Sequence, residues 1–494
     1  MQQSVSDTDT LTEDLLIPVS TQTEQRTAAL TYAADLAGMN AADLERDFSG
    51  KAKATLTLYT QRDNQRPRRI YLLGVGEMKT VGDVLGVARS FVHKNRDALS
   101  DTLGIHLAGN EAEQTLLAEG IANGAELGTY VIGRYQTASP KEEITFSDTG
   151  TLTFFPKELS DEAKTAIERG RKTGETQTRI MDLVNAPANK KNPQDLAAWA
   201  RSSGAENGFE VTVFDKAKCE EIGLHGLLAV NRGSEYGAQF VIMEYRGEGG
   251  NLPKIGLVGK GVTFDTGGVS IKPSTNLHFM KSDMGGSAAV LGAMELTAKL
   301  QLPVHLIGIC GFTDNSVDAK AIKPSDVIGS YSGKNIEIID TDAEGRLTLA
   351  DGLNYMVRHY APETLLDLAT LTGSSVRALG YLAGALMTKN DDLREELRSA
   401  GDATGERLWP LPLWDSYGKY IESDVADVKN YSGMPVAGAI TAGKFLEHFV
   451  EDHPRWAHLD IAGVAIADGE FSKQRSATAF GVRLLVEWLR TQKP

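Results

Sequence analysis

Apolar runs alternate with amphipathic stretches along the chain, and this rhythm predicts an α/β fold. In the first third, short apolar runs typical of strands are separated by segments whose apolar residues recur every three or four positions, as on one face of a helix. The predicted strands are Leu15–Ser20, Ala54–Tyr59, Arg69–Gly76 and Gly104–Ala108, and the predicted helices are Val81–Leu99 and Glu111–Leu127. This alternation indicates a compact domain with a mostly parallel sheet.

The pattern changes at residues 156–182, a charged and helix-prone stretch that is too polar to be a core element. We interpret it as a helix connecting two domains, which ends before Pro187 and Pro193. The predicted organisation is an N-terminal α/β domain over residues 1–157, a linker helix over 158–184 and a larger C-terminal α/β domain over 185–494. The charged loop at residues 61–69, QRDNQRPRR, is interpreted as a solvated hairpin tip.

The C-terminal domain shows longer apolar runs separated by helices, which is typical of a parallel sheet covered on both faces. The predicted strands are Lys254–Gly259, His305–Phe312, Asn335–Asp340, Thr364–Leu371 and Ala457–Gly463. The predicted helices are Ser287–Leu300, Leu347–Tyr360, Asp391–Ala400, Ala442–Glu451 and Ala477–Arg490.

The composition is that of an ordinary globular protein with an acidic balance. Of 494 residues, 41% are hydrophobic, and 51 Lys and Arg stand against 66 Asp and Glu, which gives a formal charge of −15. This charge disfavours binding to nucleic acid and to anionic membranes. The polar, acidic N-terminal stretch resembles neither a secretory signal nor a transit peptide, and no window approaches a membrane span, so we expect the cytosol. Cys219 and Cys310 lack CxxC partners and are expected to be buried free thiols.

Several candidate motifs fail on inspection. The stretch Gly438–Phe445, GAITAGKF, resembles a phosphate-binding loop, but Phe445 stands where the loop needs Ser or Thr. His448, His453 and His458 recur at a spacing that suits no metal clamp, so we interpret them as structural or surface residues. The sequence contains no GxSxG elbow, which disfavours a serine hydrolase of the α/β type.

Two acidic stretches carry the candidate chemistry, and each begins at the end of a predicted strand. They are Val258–Gly286 and Ile339–Gly352. Sites in open α/β sheets are built at the carboxyl ends of the strands. Any one of these acidic residues alone is typical of a solvated loop. The whole set, in glycine-rich loops flanked by apolar runs, would be costly to bury unpaired, so these carboxylates would either take up protons or bind cations.

The charge balance of these stretches predicts a two-metal hydrolytic site. The carboxylates are Asp265, Asp283, Asp342 and Glu344, and two divalent ions would balance their combined charge. Lys272 and Arg346 then leave positive charge for an oxyanion. Such ions would lower the pKa of a bridging water and stabilise a tetrahedral intermediate.

Motifs within and around these stretches resemble the leucyl aminopeptidase (cytosol aminopeptidase) family. The match is carried by TDAEGRL (341–347), by VGKGVTFDTGG, SIKP and MKSDMGG (258–286), by DLVNAPAN (182–189), and by TLTG (370–373) and WAHLDIAG (456–463). It runs from about Met181 to the C-terminus and is thinner in the first domain. The resemblance implies a di-metal aminopeptidase that releases N-terminal, preferably leucine-like, residues from peptides.

The resemblance also implies a role for each matching residue. The ligands of one ion would be Lys260, Asp265, Asp283 and Glu344, and those of the other Asp265, Asp342 and Glu344. Lys272 would polarise the scissile carbonyl, and Arg346 would hold a bicarbonate that acts as general base. Met280, Thr370, Leu371 and Gly373 would bind the substrate. Lys260 must be neutral to act as a ligand, which a neighbouring dication would favour.

Two departures from the family pattern stand beside these matches. Asp340 replaces the usual Asn and adds a fifth carboxylate near the site, and Gly352 replaces the usual Ala. A ligand set of carboxylates plus one amine tolerates manganese, zinc, cobalt or magnesium.

The resemblance implies a macro-like N-terminal domain, a catalytic C-terminal domain with a mostly parallel central sheet, and a homohexamer. Two alternatives remain open. Some bacterial members of the family bind DNA, an additional role that requires a basic groove and that a salt-sensitive gel shift would reveal. The other alternative is a catalytically inactive scaffold, which is disfavoured because Lys272, Arg346 and the proposed ligands are all present.

Overall fold

The computed structural model describes residues 1–5, 12–61, 67–132, 135–137, 144–156 and 158–492, without the side chains of residues 61, 67 and 68. The chain divides into two compact units. Unit 1 comprises Met1–Thr178, Ala403–Gly405 and Glu470–Lys473, and unit 2 comprises Arg179–Asp402, Glu406–Gly469 and Gln474–Pro494. Residues 62–66 of the predicted hairpin tip lie outside the described residues.

Unit 1 is an α/β unit built on one sheet. Its strands are β1 Gln2–Val5, β2 Asp14–Ser20, β3 Thr55–Gln61, β4 Pro67–Gly76, β5 Thr102–His106 and β6 Thr151–Phe155. Its helices are α1 Thr23–Ala37, α2 Ala41–Asp47, α3 Val81–Asn95 and α4 Glu111–Thr129. Among the described residues the sheet order is β1-β6-β5-β2-β4-β3, and every pair except β3/β4 is parallel. The strands and helices predicted for this region are confirmed, with small shifts at their ends.

Local sequence explains where these helices begin. Thr80 is the N-cap of helix α3, and its hydroxyl accepts from the amide of Asp83 while the Asp83 carboxylate accepts from the amide of Thr80. Asn110 and Glu113 form the same reciprocal pair at the start of α4. Such capping boxes satisfy amides that the first helical turn leaves without partners.

The charged stretch predicted to connect two domains is a helix, α5, over Asp161–Asn185. Asp161 and Glu162 lie in its first turn, where carboxylates oppose the positive end of the helix. The boundary between the two compact units, at Thr178 and Arg179, falls within α5. The domain limits at 157 and 184 remain a prediction.

Unit 2 contains the remaining elements. Its strands are β7 Glu210–Phe214, β8 Gln239–Arg246, β9 Lys254–Asp265, β10 His305–Asn315, β11 Val327–Ile328, β12 Ile336–Glu337, β13 Thr364–Ala369, β14 Gly384–Met387, β15 Leu408–Pro410, β16 Val428–Lys429, β17 Trp456–Asp460, β18 Ile466–Ala467 and β19 Ser476–Ala477. Its helices are α6 Pro193–Asn207, α7 Lys216–Ile222, α8 His225–Asn231, α9 Gly285–Lys299, α10 Gly345–Tyr360, α11 Gly373–Leu379, α12 Asp391–Thr404, α13 Gly438–Glu447 and α14 Val482–Thr491.

Within residues 179–492, the main sheet of unit 2 has the strand order β15-β14-β17-β13-β9-β10-β8-β7. The central strands β17, β13, β9 and β10 are parallel. Helices cover both faces of β9, because a Cβ on Gly256 would meet Met356 of α10, whereas a Cβ on Gly259 would meet Ser287 of α9. Side chains an odd number of positions apart point to opposite faces of a strand.

One predicted strand of this domain is wrong. The stretch Asn335–Asp340 was expected to end at the carboxyl edge of the parallel sheet. Only Ile336 and Glu337 form a strand, β12, and it pairs with β11 and β16 in a separate small sheet. Short alternation of apolar and acidic residues predicts a strand but does not specify its partner.

Other expectations can be compared directly with the structure. The stretch Gly438–Phe445 is helical and opens α13, and its Lys444 pairs with Glu447 and with Asp415. The predicted helix at Ala442–Glu451 therefore starts and ends four residues earlier than expected. The helix predicted from Ala477 starts at Val482. Cys219 and Cys310 are buried free thiols, as expected.

The described chain contains no helix with both the length and the apolar character needed to cross a membrane.

Candidate metal centre

The site is built around Lys260, a buried lysine in the middle of β9. Its Nζ lies 2.6 Å from Asp283 Oδ2 and 2.9 Å from Glu344 Oε1, and it donates to the carbonyl of Thr370 (3.1 Å). Glu344 immediately precedes α10, whose first residue, Gly345, passes close to this lysine. A Cβ on Gly345 would lie 2.5 Å from Lys260 Cε, so a larger residue there would force the lysine or the start of α10 to shift.

Asp265 ends β9 and belongs to the same cluster. Its Oδ1 accepts from the amide of Gly267 (2.9 Å) and from Asn315 Nδ2 (2.8 Å), and its Oδ2 lies 2.8 Å from Lys272 Nζ. Lys272 also contacts Asp342 Oδ1. Asn315 lies at the end of β10, the parallel neighbour of β9, so both strands deliver polar groups to one edge of the sheet.

Three carboxylates converge closely enough to share cations. Asp265, Asp342 and Glu344 each offer an oxygen, and these oxygens all lie within 4.8 Å of one another. Glu344 is 1% exposed, and no described residue donates a hydrogen bond to its Oε2. Buried carboxylate oxygens need a hydrogen-bond donor or a cation. This donor set fits a divalent metal.

The carboxyl groups of the cluster resist ionisation. Burial and the nearby Asp265 raise the pKa of Asp342 to about 7, against the opposing effect of Lys272. Burial and Asp265 likewise raise the pKa of Glu344, and burial raises the pKa of Asp283 well above its ordinary value. The lysines therefore compensate the carboxylates incompletely, and nearby cations would favour the charged forms.

The neighbouring carboxylates raise the pKa of both lysines, whereas burial alone would lower it. Burial alone would lower the pKa of Lys260, but the carboxylates of Asp283, Glu344 and Asp265 raise it above its ordinary value. The pKa of Lys272 is raised for the same reason, chiefly by Asp265 against the effect of burial. Both amines are therefore protonated in this arrangement, and Lys260 must lose a proton before it can act as a ligand.

Arg346 lies on the first turn of α10 and is buried. Its Nη1 donates to the carbonyl of Asn430 (2.7 Å), while its Nε has no acceptor among the described residues. Burial lowers its pKa, against the opposing effect of Glu344 and Asp340. A buried guanidinium edge with a donor to spare can hold a planar anion.

A cavity of about 510 Å³ opens beside these residues. The sequence-predicted residues that line it are Lys260, Asp265, Lys272, Met280, Asp283, Asp342, Arg346, Thr370, Leu371 and Gly373. Glu344 lies behind the lining, against Lys260. The structure thus brings all of the predicted site residues together, although the strand predicted to deliver Asp342 and Glu344 is largely irregular.

Asn430 was not anticipated from the sequence, yet it holds the second acidic stretch in place. Its side chain accepts from the amides of Ile339 (2.8 Å) and Asp340 (3.3 Å) and donates to the carbonyl of Asp340 (2.6 Å). It follows β16, far along the chain, and belongs to no recognisable motif. Asn315 was also missed, although its place at the end of a strand predicted to be parallel to β9 was a usable signal.

Asp340, the predicted fifth carboxylate, has a local structural contact. Its Oδ1 accepts from the amide of Asp342 (2.9 Å), which closes a tight turn before the ligand candidates. Its side chain also lines the cavity. Asp340 therefore contributes both a turn and a negative charge beside Arg346.

Comparison with known proteins places this architecture in a family. Residues 178–486 match the model of the cytosol aminopeptidase family catalytic domain, and residues 16–139 match that of the family's N-terminal domain. The chain belongs to the cytosol aminopeptidase family. It is therefore an aminopeptidase and a hydrolase, as the sequence motifs predicted.

Relatives resemble the aminopeptidase over nearly their full length. The probable cytosol aminopeptidase of Chloroherpeton thalassium is 42% identical over 94% of each chain, and that of Chlorobium luteolum is 40% identical over 97% of each. Among solved structures, a variant of tomato leucine aminopeptidase superposes with a TM-score of 0.86 at 30% identity, covering 100% of this chain and 97% of the other. The bottromycin maturation enzyme BotP in complex with manganese gives 0.82 at 31% identity, covering 97% and 99%.

Proposed function

We propose that this aminopeptidase uses two divalent ions to release N-terminal, preferably leucine-like, residues from peptides. The observation that carries the proposal is the convergence of Asp265, Asp342 and Glu344, whose oxygens lie within 4.8 Å of one another beside a cavity. Membership in the family supports a divalent metal, as does the complex of the structural neighbour BotP with manganese.

The proposed ligand sets follow the sequence assignment. One ion would be held by Lys260, Asp265, Asp283 and Glu344, and the other by Asp265, Asp342 and Glu344. When bound, two such ions supply Lewis-acid activation of water and stabilise the charge that develops during amide hydrolysis. Lys260 would deliver its lone pair only as the neutral amine, so binding at its position would release a proton.

The remaining roles belong to the chain's own cations. Lys272, whose Nζ lies between Asp265 and Asp342, would hold the scissile carbonyl and neutralise its developing oxyanion. Arg346 would hold a planar anion, proposed to be bicarbonate, through its spare Nε donor. A base bound there would accept a proton from the attacking water.

The substrate pocket is proposed to lie among Met280, Thr370, Leu371 and Gly373. These residues line the cavity, and Thr370 Oγ1 donates to Asp283 Oδ1 (2.8 Å), which ties the pocket to the carboxylates. Met280 and the absence of a side chain at Gly373 favour an apolar N-terminal residue such as leucine. Apolar pockets of this kind discriminate by about 1–3 kcal/mol per methylene.

The identity of the metal, the oligomeric state and the location in the cell remain proposals. The ligand chemistry suits manganese or zinc. The family resemblance supports a homohexamer and a cytosolic location, and it makes peptides the substrates.

The test is hydrolysis of leucine p-nitroanilide by protein that has been dialysed against chelator, with and without added Mn²⁺ or Zn²⁺. Activity should appear only with metal. Glu344→Gln, which keeps the size of the side chain, should abolish it, whereas Glu363→Gln, outside the cavity lining, serves as the matched control. Metal-independent activity, or full activity of Glu344→Gln, would refute the proposal.

A further inference from the structure

Lys191 is a buried lysine that takes no part in the proposed chemistry. It is 2% exposed and lies between the end of α5 and the start of α6. None of the carboxylates in the described part of the chain pairs with its amine, and the charged group that acts on it is another lysine, Lys281. Burying an ammonium without a counter-charge is costly, so other contacts must retain this side chain in the interior.

The amine of Lys191 joins two separate segments of the chain. It donates to the carbonyl of Lys281 (2.5 Å) and to the carbonyl of Val184 (3.4 Å). Val184 lies in the last turn of α5, and Lys281 lies in the short 3-10 helix Leu277–Ser282. The last carbonyls of a helix have no partners within it, so the lysine satisfies an acceptor at the end of α5 and connects it to the second segment.

Lys281 makes a second connection between the same two segments. Its Nζ donates to the carbonyl of Asn185 (2.9 Å), the last residue of α5. The side chain of Asn185 in turn accepts from the amide of Ala477 (2.9 Å), which fixes the end of α5 from another part of the chain. Two lysines at the carboxyl end of a helix oppose its partial negative charge, which compensates in part for the missing carboxylate.

The segment that these lysines hold carries two residues of the proposed site. Met280, assigned to the substrate pocket, and Asp283, assigned to one ion, lie on either side of Lys281 and line the cavity. Asp283 is also held by Lys260 (2.6 Å) and by Thr370 Oγ1 (2.8 Å). The position of Met280 therefore depends more than that of Asp283 on the contacts that hold the segment from outside.

The contacts of Lys191 do not require its charge. Burial, and after it the neighbouring Lys281, lower the pKa of Lys191 from 10.5 to about 7. The ammonium has three N–H donors and the neutral amine has two, so either form can serve both carbonyls.

We infer that Lys191 is a positioning residue, which acts through the carbonyl of Lys281 to hold the segment that presents Met280 to the substrate pocket. Lys191 itself lies outside the cavity lining. This inference deepens the proposed function and rests on it, because the segment affects catalysis only if the cavity binds the peptide.

The test is the preference for leucine over alanine p-nitroanilide in Lys191→Met, which keeps most of the length of the side chain and removes its donors. The value of kcat/KM should fall about fivefold to tenfold for the leucine substrate, the effect of one lost hydrogen bond, and by no more than about twofold for the alanine substrate. Alanine is too short to fill a pocket that Met280 shapes. Lys191→Gln, which keeps an amide donor, should lie between Lys191→Met and the unsubstituted enzyme.

Two control variants distinguish positioning from a general loss of stability. Lys190→Met makes the same change at the exposed neighbouring residue. Ser203→Ala removes a buried hydrogen bond to Glu295 (2.7 Å) outside the cavity lining. Both should leave the leucine-to-alanine ratio within about twofold. Equal losses on the two substrates in Lys191→Met, an unchanged ratio there, or the same change of ratio in either control would overturn the inference.

Hydrogen exchange separates this inference from the proposed function, because it requires neither metal nor turnover. Peptides covering residues 277–283 should exchange about tenfold faster in Lys191→Met than in the unsubstituted protein, whereas peptides from β10 should be unchanged. If no substrate is hydrolysed with Mn²⁺ or Zn²⁺, the proposed function fails. Unchanged exchange at residues 277–283 would show instead that Lys191 does not hold this segment.

Discussion

The amine of Lys260 shows how single residues assemble this site. It contacts one carboxylate from the turn before α9 and another from the start of α10, and it donates to the carbonyl that follows β13. A buried positive charge is costly unless partners surround it, so these contacts fix the segments that carry Asp283 and Glu344. The pKa of Asp342 nevertheless rises to about 7, because this carboxyl is buried and lies near Asp265, and Lys272 offsets these effects only in part.

Asp460 is a positioning residue that can be tested separately from the ligands. It is buried, and its Oδ1 accepts from the amide of Leu371 (3.2 Å) while its Oδ2 accepts from Thr372 Oγ1 (2.6 Å). Asp460→Asn would place an amide donor against one of these donors and loosen the segment that lines the cavity. We expect KM for leucyl peptides to rise about fivefold to tenfold, with a smaller change in kcat.

The measurement is steady-state kinetics together with metal content. Metal content should stay as in the unsubstituted enzyme, because Asp460 contacts the pocket segment and not the ligand carboxylates. Asp391→Asn, at an exposed carboxylate outside the cavity lining, is the matched control. A loss of bound metal, or an unchanged KM, would contradict the positioning role.

At the residue level, the site residues that lie within recognisable motifs were predicted from the sequence. Lys260, Asp265, Lys272 and Asp342 converge as expected, because short motifs with fixed spacing specify both the residue and its local loop. Residues that hold these motifs from distant segments were not predictable. Asn430 is the main example, since nothing in the sequence indicates that it contacts the Ile339–Ala343 backbone.

Among the elements, helix α9 makes an unusually close approach to the central sheet. A Cβ on Gly286 would lie 2.0 Å from the carbonyl oxygen of Leu368 on β13. Gly286→Ala should therefore push α9 away from the sheet and disturb the nearby Asp283. We expect the free energy of unfolding to fall by about 1–3 kcal/mol and activity to fall with it.

The control for this substitution is Gly86→Ala in α3. A Cβ at Gly86 would meet nothing within 4 Å, so alanine should be neutral or stabilise the helix by up to about 1 kcal/mol. Urea denaturation of both variants is the measurement. Unchanged stability of Gly286→Ala would show that α9 and β13 are not packed as described.

Asp351 on α10 provides a pH-dependent test of element packing. Its Oδ2 accepts from the amide of Leu227 in α8 (3.0 Å) and its Oδ1 from the amide of Tyr331 (2.8 Å). Burial raises its pKa from 3.8 to about 7, although the amides lower it. Between these values the folded state keeps a proton that the unfolded state has released, so stability should fall as pH rises from about 4 to 7.

Asp351→Asn removes this titration. The variant loses an acceptor at every pH, but its disadvantage relative to the unsubstituted protein should shrink between pH 5 and pH 8, by on the order of 2 kcal/mol. Urea midpoints at the two pH values give the comparison. A disadvantage that stays constant or grows towards pH 8 would contradict the raised pKa.

Elements were predictable where a long apolar run or a clear helical period dominated. Strand β10 and helices α9 and α10 lie close to their predicted bounds for this reason. Strand β9 starts where predicted but runs on to Asp265, six residues beyond its predicted end, so Lys260 lies within the strand and not after it. The stretch at 335–340 failed because its pairing depends on β11 and β16, which are two-residue strands with no signal of their own. The short strands β14 and β15, the last two at one end of the main sheet, were also missed because they are short.

For the whole molecule, the sequence predicted an α/β chain in two parts, and the structure and the family matches agree. The matched N-terminal segment covers residues 16–139 and the catalytic segment covers residues 178–486. The quoted site contacts all lie within unit 2. Composition and charge narrowed the function only by exclusion, whereas the ordered motifs around the carboxylates predicted the reaction class.

The two-metal proposal is tested most sharply by a titration of chelator-treated protein with Mn²⁺, in which bound metal and leucine p-nitroanilide hydrolysis are measured on the same samples. Activity should rise with metal and saturate when two ions are bound per chain. Glu344→Gln should bind fewer ions and remain inactive, because Glu344 is assigned to both ligand sets. Full activity without bound metal, or saturation of activity in Glu344→Gln, would contradict the two-metal proposal.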